Sequence, residues 1–447
     1  MAAGQPSRAA LRVISQRALR NQRAPAASAR RVQRDPLVFE KQLVKELTSP
    51  PRVGNVLAIR RHMVRLLARR FLVPVAVAFI PIGVAAEPSS TPVAAARGHI
   101  RETPPKKKAP SPKHELTTKD ARLAFIRKAQ IWSPTNVPEM DLRAGPQGPG
   151  AFQPNEMVTC DYVEKKLPGT SQKFDCAIRE GDVVKVRYGQ QNGKVEGAVL
   201  ASRLLWALGF GADRLYPVRV TCRGCSPDPW EQHERAPSEQ VFDPATIERK
   251  PKGHEMKSEN KGGWAWPELE LVDEHQGGAP QAQRDALKLL AVFMQHTDSK
   301  PEQERLLCLP KGRTDDGGCN EPFMMMHDVG LTFGQANLFN RSSVGSVNFD
   351  QWSKTPIWKD AAACVGHMSQ SQTGTLGDPK ISEAGRKFLA DLLVQLTDPQ
   401  LRDLFEVARV DHRSRRPDSA EPPATVDEWV LAFKHKRDEI VAKRCQP

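Results

Sequence analysis

Residues 293–306 read FMQHTDSKPEQERL. An apolar helical stripe, AQRDALKLLAVFMQH (282–296), runs into a string of His, Asp, Lys, Pro, Glu and Gln. Apolar residues spaced three and four apart predict one buried helix face. A polar string straight after it is either a loop that caps the helix or a chemical centre. Taken alone, His-x-Asp after a helix is most often a capping loop. The rest of the chain decides between the two readings.

Downstream, PFMMMHDVGLTFG (322–334) is an apolar strand followed by Asp-x-Gly, with Met324 to Met326 as core residues. SEAGRKFLADLLVQL and TDPQLRDLFEVARV are helices, the second with Thr397 as N-cap. TVDEWVLAFKHKRDEIVAKR opens with a capping box, Thr425 with Glu428. Upstream, the body begins with a helix, TKDARLAFIRKAQIW. KFDCAIREGDVVKVRYG (173–189) then predicts a β-hairpin about a Gly-Asp turn. NGKVEGAVLASRLLWALGF is a helix ending at Gly209, RLYPVRVTC a strand, and 223–263 a polar insertion. GWAWPELELVDE reads as a further strand whose Trp264 and Trp266 pack inward. Strands with one helix first and helices afterwards give an α+β chain of two unequal lobes: 121–275, rich in strands, and 276–447, helical.

The formal net charge of +14 suggests nucleic-acid binding until it is located. Residues 1–120 hold 23 Lys/Arg against 7 Asp/Glu, and 121–447 hold 43 against 45. The body is near neutral, which argues against a nucleic-acid partner. The excess lies in the leader, residues 1–120, and MVRLLARRFLVPVAVAFIPIGVAAEPSSTP (63–92) explains much of it. Arg65, Arg69 and Arg70 form a positive n-region, Phe71–Val84 an apolar core, and Val84-Ala85-Ala86 a small-residue cleavage site. The segment 63–86 reads as a secretory signal, shorter than a membrane span requires and broken by Pro74 and Pro81. Residues 1–62 are then an over-called start or, if the segment stays as an uncleaved anchor, a disordered tail. Such an anchor is the membrane contact the sequence offers. Residues 87–120, rich in Pro and Lys, are a linker. The expected location is secreted or periplasmic.

Export sets the reading of the eight cysteines, all of which follow the signal. Disulfides are the default in an oxidising compartment. CRGC (222–225) reads first as a disulfide, second as half a zinc site with His233 and His254, third as a redox pair.

HTDSKPEQ (296–303) resembles the protein-kinase catalytic loop, commonly HRDLKPEN, with Gln303 in the Asn place. Asp328-Val329-Gly330-Leu331 stands where kinases have Asp-Phe-Gly-Leu. The order of helix, catalytic loop, strand and Asp-x-Gly is the kinase order. The hairpin and VLASRLLWALGFGADRLYPVRV resemble the lysine strand and helix C. The chain is similar to the atypical branches: secreted Golgi-type casein kinases, HipA-type kinases and phosphatidylinositol kinases. This likeness implies a two-lobed protein-kinase-like fold that uses ATP with Mg²⁺ or Mn²⁺ on an acceptor that is a protein, a sugar or a lipid head group.

By that resemblance Asp298 takes the acceptor's proton and Lys300 steadies the phosphoryl group, while Asp328 and Gln303 hold the metal. Lys185 stands as the phosphate lysine, with Arg187 on the same strand face. Glu196 and His296 fall on the nucleotide side. Phosphoryl transfer needs such residues because it rests on positioning and charge stabilisation. The chain departs from the pattern in three places. Ala198 occupies the inward helix position where kinases carry a glutamate, with Glu196 nearby. Gly169 in LPGTSQ replaces a GxGxxG loop. The gap from Asp298 to Asp328 is long, and a Cys308–Cys319 bridge across it would contribute about 2–4 kcal/mol. An inactive pseudokinase and an extracytoplasmic binding protein are the alternatives. His327 reads as a structural hydrogen-bonding residue.

Overall fold

A computed structural model describes residues 115–116, 118–258, 263–315, 317–334, 347–368, 374–415 and 419–446. The expected leader, signal and almost all of the linker lie outside them. The described chain is mixed α+β. Among the described residues no helix is long and apolar enough to cross a membrane.

A two-residue strand, β1 (Glu115–Leu116), precedes α1 (Lys119–Arg127), where the Thr118 hydroxyl accepts from the Ala121 N–H at 3.0 Å. Five strands then close into a barrel: β2 (Met157–Val163), β3 (Lys173–Arg179), β4 (Asp182–Tyr188), β5 (Arg214–Arg223) and β6 (Glu239–Arg249). Their spatial order is β2-β3-β4-β6-β5, closed by a parallel β2–β5 pairing. Inward positions such as Val184, Val186 and Tyr188 recur with period two and fill the interior with Phe174, Tyr216 and Ile247. The hairpin β3–β4 and the strand β5 match their sequence expectations.

The stretch 223–263 is more than an insertion. Its β6 is the central partner of both β4 and β5, so the barrel cannot close without it. Two disulfides, Cys160–Cys176 and Cys222–Cys225, belong to this barrel. With Cys222 bonded to Cys225, the zinc reading of CRGC is withdrawn.

Between β4 and β5 runs α2 (Lys194–Ala207), nearly all of it buried. It ends at Gly209, at φ +84°, where an added Cβ would lie 2.2 Å from the Ser133 carbonyl oxygen. The strand expected at 263–274 is instead a 3₁₀ turn, Trp266–Leu271, entered through Pro267. Pro267 has no N–H to give a ladder. The two tryptophans do pack inward, 5.1 Å apart.

Short strands β7 (His254–Glu255) and β8 (Lys257–Ser258) come next in strand order, β8 lying parallel to β1. The long apolar helix is α3 (Gln281–Met294). It is followed by β9 (Glu304–Cys308) and β10 (Pro322–Met326), which form a three-stranded sheet in the order β10-β9-β7. Met324 to Met326 are buried there, and Cys308–Cys319 bridges the β9–β10 connection. Past a short helix, α4 (Phe349–Lys354), strands β11 (Trp358–Asp360) and β12 (Val365–Gly366) pair as a hairpin that Cys364–Cys445 ties to the end of the chain. The last helices are α5 (Glu383–Leu393), α6 (Asp398–Val407) and α7 (Val426–Ala442), with both anticipated caps in place. Phe293, Phe333, Trp352, Phe405, Trp429 and Phe433 form the aromatic centre of this second core. Helix α1 adds Phe125 and Ile126 to it.

Candidate active site

The string at 296–303 begins where α3 is forced to stop. Gln295 adopts φ 52°, and its amide side chain donates to the Val292 and His367 carbonyls at 2.9 and 2.7 Å. From there the side chains divide. His296, Thr297 and Ser299 are buried, whereas Asp298, Lys300, Glu302 and Gln303 line a cavity of about 370 Å³.

The β9–β10 ladder explains how residues thirty positions apart converge. Glu304 pairs with Met326, so Gln303 and His327 stand opposite one another just beyond the ladder. The Gln303 carbonyl oxygen accepts from the His327 and Asp328 N–H groups at 2.8 and 3.3 Å. The Gln303 side-chain amide donates to Asp298 Oδ2 at 2.9 Å, and Lys300 Nζ lies 3.3 Å from Asp298 Oδ1. A single residue thus fixes both acidic segments.

Asp328 meets the other side of the cavity. Its Oδ1 accepts from Arg187 at 3.3 Å and its Oδ2 from Lys194 at 3.0 Å. Two glycines allow this approach. A Cβ on Gly197 would lie 2.5 Å from the Gly330 carbonyl oxygen, and one on Gly330 would lie 2.9 Å from Lys194 Cβ. Burial alone would raise the Asp328 pKa, but the Arg187 and Lys194 cations reverse this and hold it well below the usual carboxylate range.

Behind Arg187 a buried charge network continues. Glu248 on β6 binds Lys185 at 2.6 Å and Arg187 at 3.0 Å. His327 hydrogen-bonds Asp213, and Arg305 reaches His327 at 2.9 Å and Glu255 at 3.3 Å. Asp213, Glu248 and His327 are close enough to suggest a cation site. Three cationic side chains, Lys185, Arg187 and Arg305, already serve that cluster, so it reads as ion pairing. His327 fills the structural role expected of it.

The cavity therefore gathers Lys185, Asp298, Lys300, Gln303 and Asp328 from the expected set. Glu196 and His296 go elsewhere. Glu196 pairs with Arg413 at 3.1 Å in place of Lys185, because Arg413 is carried to the buried side of α2. His296 sits in the core, 3.5 Å from Glu304 and against the Trp266 ring. Burial pushes the Glu304 carboxyl up to about 7, although His296 and the Trp266 N–H act against it.

Two cavity residues escaped the sequence reading. Lys194 opens α2, and Lys173 opens β3 beneath the 164–172 loop, where Gly169 and Thr170 line the same cavity. Lys173 is 9% exposed, makes no ion pair among the described residues, and lies 5.1 Å from the Trp230 ring centroid. Burial, then the nearby Arg187 and Lys194 charges, lower its pKa to about 8. The available signal was a lysine on each side of glycine-bearing loops, in GTSQK and NGK.

No family model matches the chain. No curated protein matches it either. Among solved structures it is similar to a Helicobacter pylori proinflammatory kinase, CtkA, at 11% identity and a TM-score of 0.32, over 65% of this chain and 95% of that one. A likeness at that score fixes neither fold nor function.

Proposed function

We propose that this chain is a phosphotransferase of two-lobed, kinase-like fold that uses ATP and Mg²⁺ or Mn²⁺ outside the cytoplasm. The observation that carries this reading is the shared cavity, which brings Asp298, Gln303 and Asp328 together with Lys185, Lys194 and Lys300. The four disulfides are compatible with the expected compartment.

The donor set suits a hard divalent cation. Asp328 keeps spare lone pairs beside its two long ion pairs, and the Gln303 Oε1 atom makes no hydrogen bond among the described residues. These two residues would hold the metal, whose part is to neutralise charge on the phosphates. Lys194, Lys185 and Lys173 supply positive charge around the phosphates. Asp298, steadied by Gln303 and Lys300, accepts the proton of the attacking hydroxyl. The acceptor is a hydroxyl-bearing protein, sugar or lipid head group.

A binding-only protein is the second reading. It is favoured by Asp328 having both oxygens on cations and by Glu196 being engaged with Arg413. Melting of the full chain with and without Mg-ATP, followed by transfer from labelled ATP, separates the cases. A raised Tm with transfer that falls about 10²- to 10⁴-fold in Asp298→Asn supports the enzyme. A raised Tm without transfer supports the binding protein, and an unmoved Tm sinks both.

A further inference from the structure

Among the described residues the cavity offers charge for phosphates and no apolar slot for a base. Five cationic side chains line it, Lys173, Lys185, Arg187, Lys194 and Lys300, against three carboxylates, Asp298, Glu302 and Asp328. The lining is therefore two charges positive before any metal arrives. Its apolar side chains are Leu167, Pro168 and Leu331, and no Phe, Tyr or Trp is among the described lining residues, the one ring there being the His327 imidazole, which is hydrogen-bonded to Asp213. Bases are ordinarily held by apolar or aromatic walls, at about 1–3 kcal/mol per stacked ring. Here the wall next to the cations is the salt network of Glu248, His327, Asp213 and Arg305.

An apolar cavity of about 400 Å³ does exist beyond that wall, lined by Trp206, Phe210, Leu307, Phe323 and Met325 together with Asp213. The His327–Asp213 pair stands between the two, His327 lining the charged cavity and Asp213 the apolar one. A base passing from one to the other would part the His327–Asp213 hydrogen bond.

We infer that the donor is recognised through its phosphate chain alone, so that inorganic tripolyphosphate is bound as tightly as ATP and serves equally as donor. This rests on the phosphotransferase reading and specifies its substrate class. In the step, the acceptor oxygen bonds to the terminal phosphorus and the bond from that phosphorus to its bridging oxygen breaks. The electron pair leaves with pyrophosphate, and the hydroxyl proton goes to Asp298. No further reactant is needed. The buried Lys173, which lines the cavity and makes no ion pair among the described residues, is consistent with a site that awaits anionic charge.

The test is calorimetric titration of the full chain, in Mg²⁺ and again in Mn²⁺, with tripolyphosphate, ATP, GTP and adenosine. The expected result is that the three polyphosphates agree in Kd within about threefold and that adenosine gives no heat of binding. Lys173→Met should weaken all three by one common factor. ATP binding about tenfold or more tighter than tripolyphosphate, or clear discrimination between ATP and GTP, overturns the inference and places the base in the apolar cavity, with the phosphotransferase reading intact. Absence of binding by all three polyphosphates removes that reading as well.

Discussion

Two carboxyl groups lie close to the β9–β10 strand pair and meet opposite fates. Asp328 is held ionised by Arg187 and Lys194, while Glu304, fully buried, is pushed up to about 7. Both lose water. What differs is the company: two cations on the cavity side, a neutralisable ring and an indole N–H on the core side. Burial sets the cost of a charge, and the partners decide whether the charge survives it. The string at 296–304 crosses this divide within nine residues, sending Asp298 toward the cavity and His296 and Glu304 into the core.

The contrast is broken most severely by Arg187→Met. That change leaves Glu248 to Lys185 and Asp328 to Lys194, each short of one buried cation. A loss of about 3 kcal/mol in urea unfolding at pH 7 is expected, the low end for a split buried pair because partners remain. Glu304→Gln, measured at pH 5 where that carboxyl is mostly neutral, should cost less than about 1 kcal/mol. Equal costs would mean that the two carboxyls do not differ in charge.

The pH dependence sharpens the same contrast. Glu304 binds its proton more tightly folded than unfolded, so its contribution is full below the ordinary value of 4.5 and falls as pH rises toward about 7. The slope is at most about 1.4 kcal/mol per pH unit. Asp328 works in the other direction: its contribution is present above the ordinary value of 3.8 and is lost as the medium becomes more acidic. Glu196, raised by burial against Arg413, adds a second slope that falls as pH rises above the ordinary value of 4.5. Stability from pH 5 to 7 should therefore decline less steeply in Glu304→Gln than in the parent chain. An unchanged slope removes Glu304 as its source.

The sequence was most legible where the periodicity was strong. The hairpin 173–188, helix α2 and helices α3, α5, α6 and α7 follow from spacing and caps such as Thr397 and Thr425. Strand β6 was hidden because EQVFDPATIER places charged residues and a proline among its apolar ones, and a barrel needs only one apolar face. The turn at 266–271 was misread because an apolar alternation outweighed Pro267. Of the two short motifs, Asp298, Lys300, Gln303 and Asp328 line the cavity, whereas His296 lies in the core. Lys173 and Lys194 were missed: GTSQK and NGK show only a lysine after a glycine, and the meeting of β3 and α2 at one cavity wall is what brings the two together. Glu196 was misassigned because its partner, Arg413, lies 217 positions away.

The smallest effect expected is at Gly169, in the loop over the cavity. At φ +107°, an alanine there is strained by about 1 kcal/mol, and its Cβ would stand 2.7 Å from Lys173 Nζ. The atom in the way is the far end of a long, flexible side chain, so the fold absorbs the change while the ammonium is displaced from the cavity. Gly169→Ala should therefore unfold only slightly earlier in urea yet bind Mg-tripolyphosphate about two- to fivefold more weakly, a fraction of one buried charge contact. Gly181→Ala is the matching control. It has φ +76° in the β3–β4 turn with no atom within 4 Å, so it carries comparable strain without touching Lys173. If both variants lose affinity alike, the loss comes from backbone strain, and the cation that opens β3 has no part in holding the phosphate chain. A loss confined to Gly169→Ala assigns it to Lys173 and places that lysine among the groups that distinguish the cavity side from the core side.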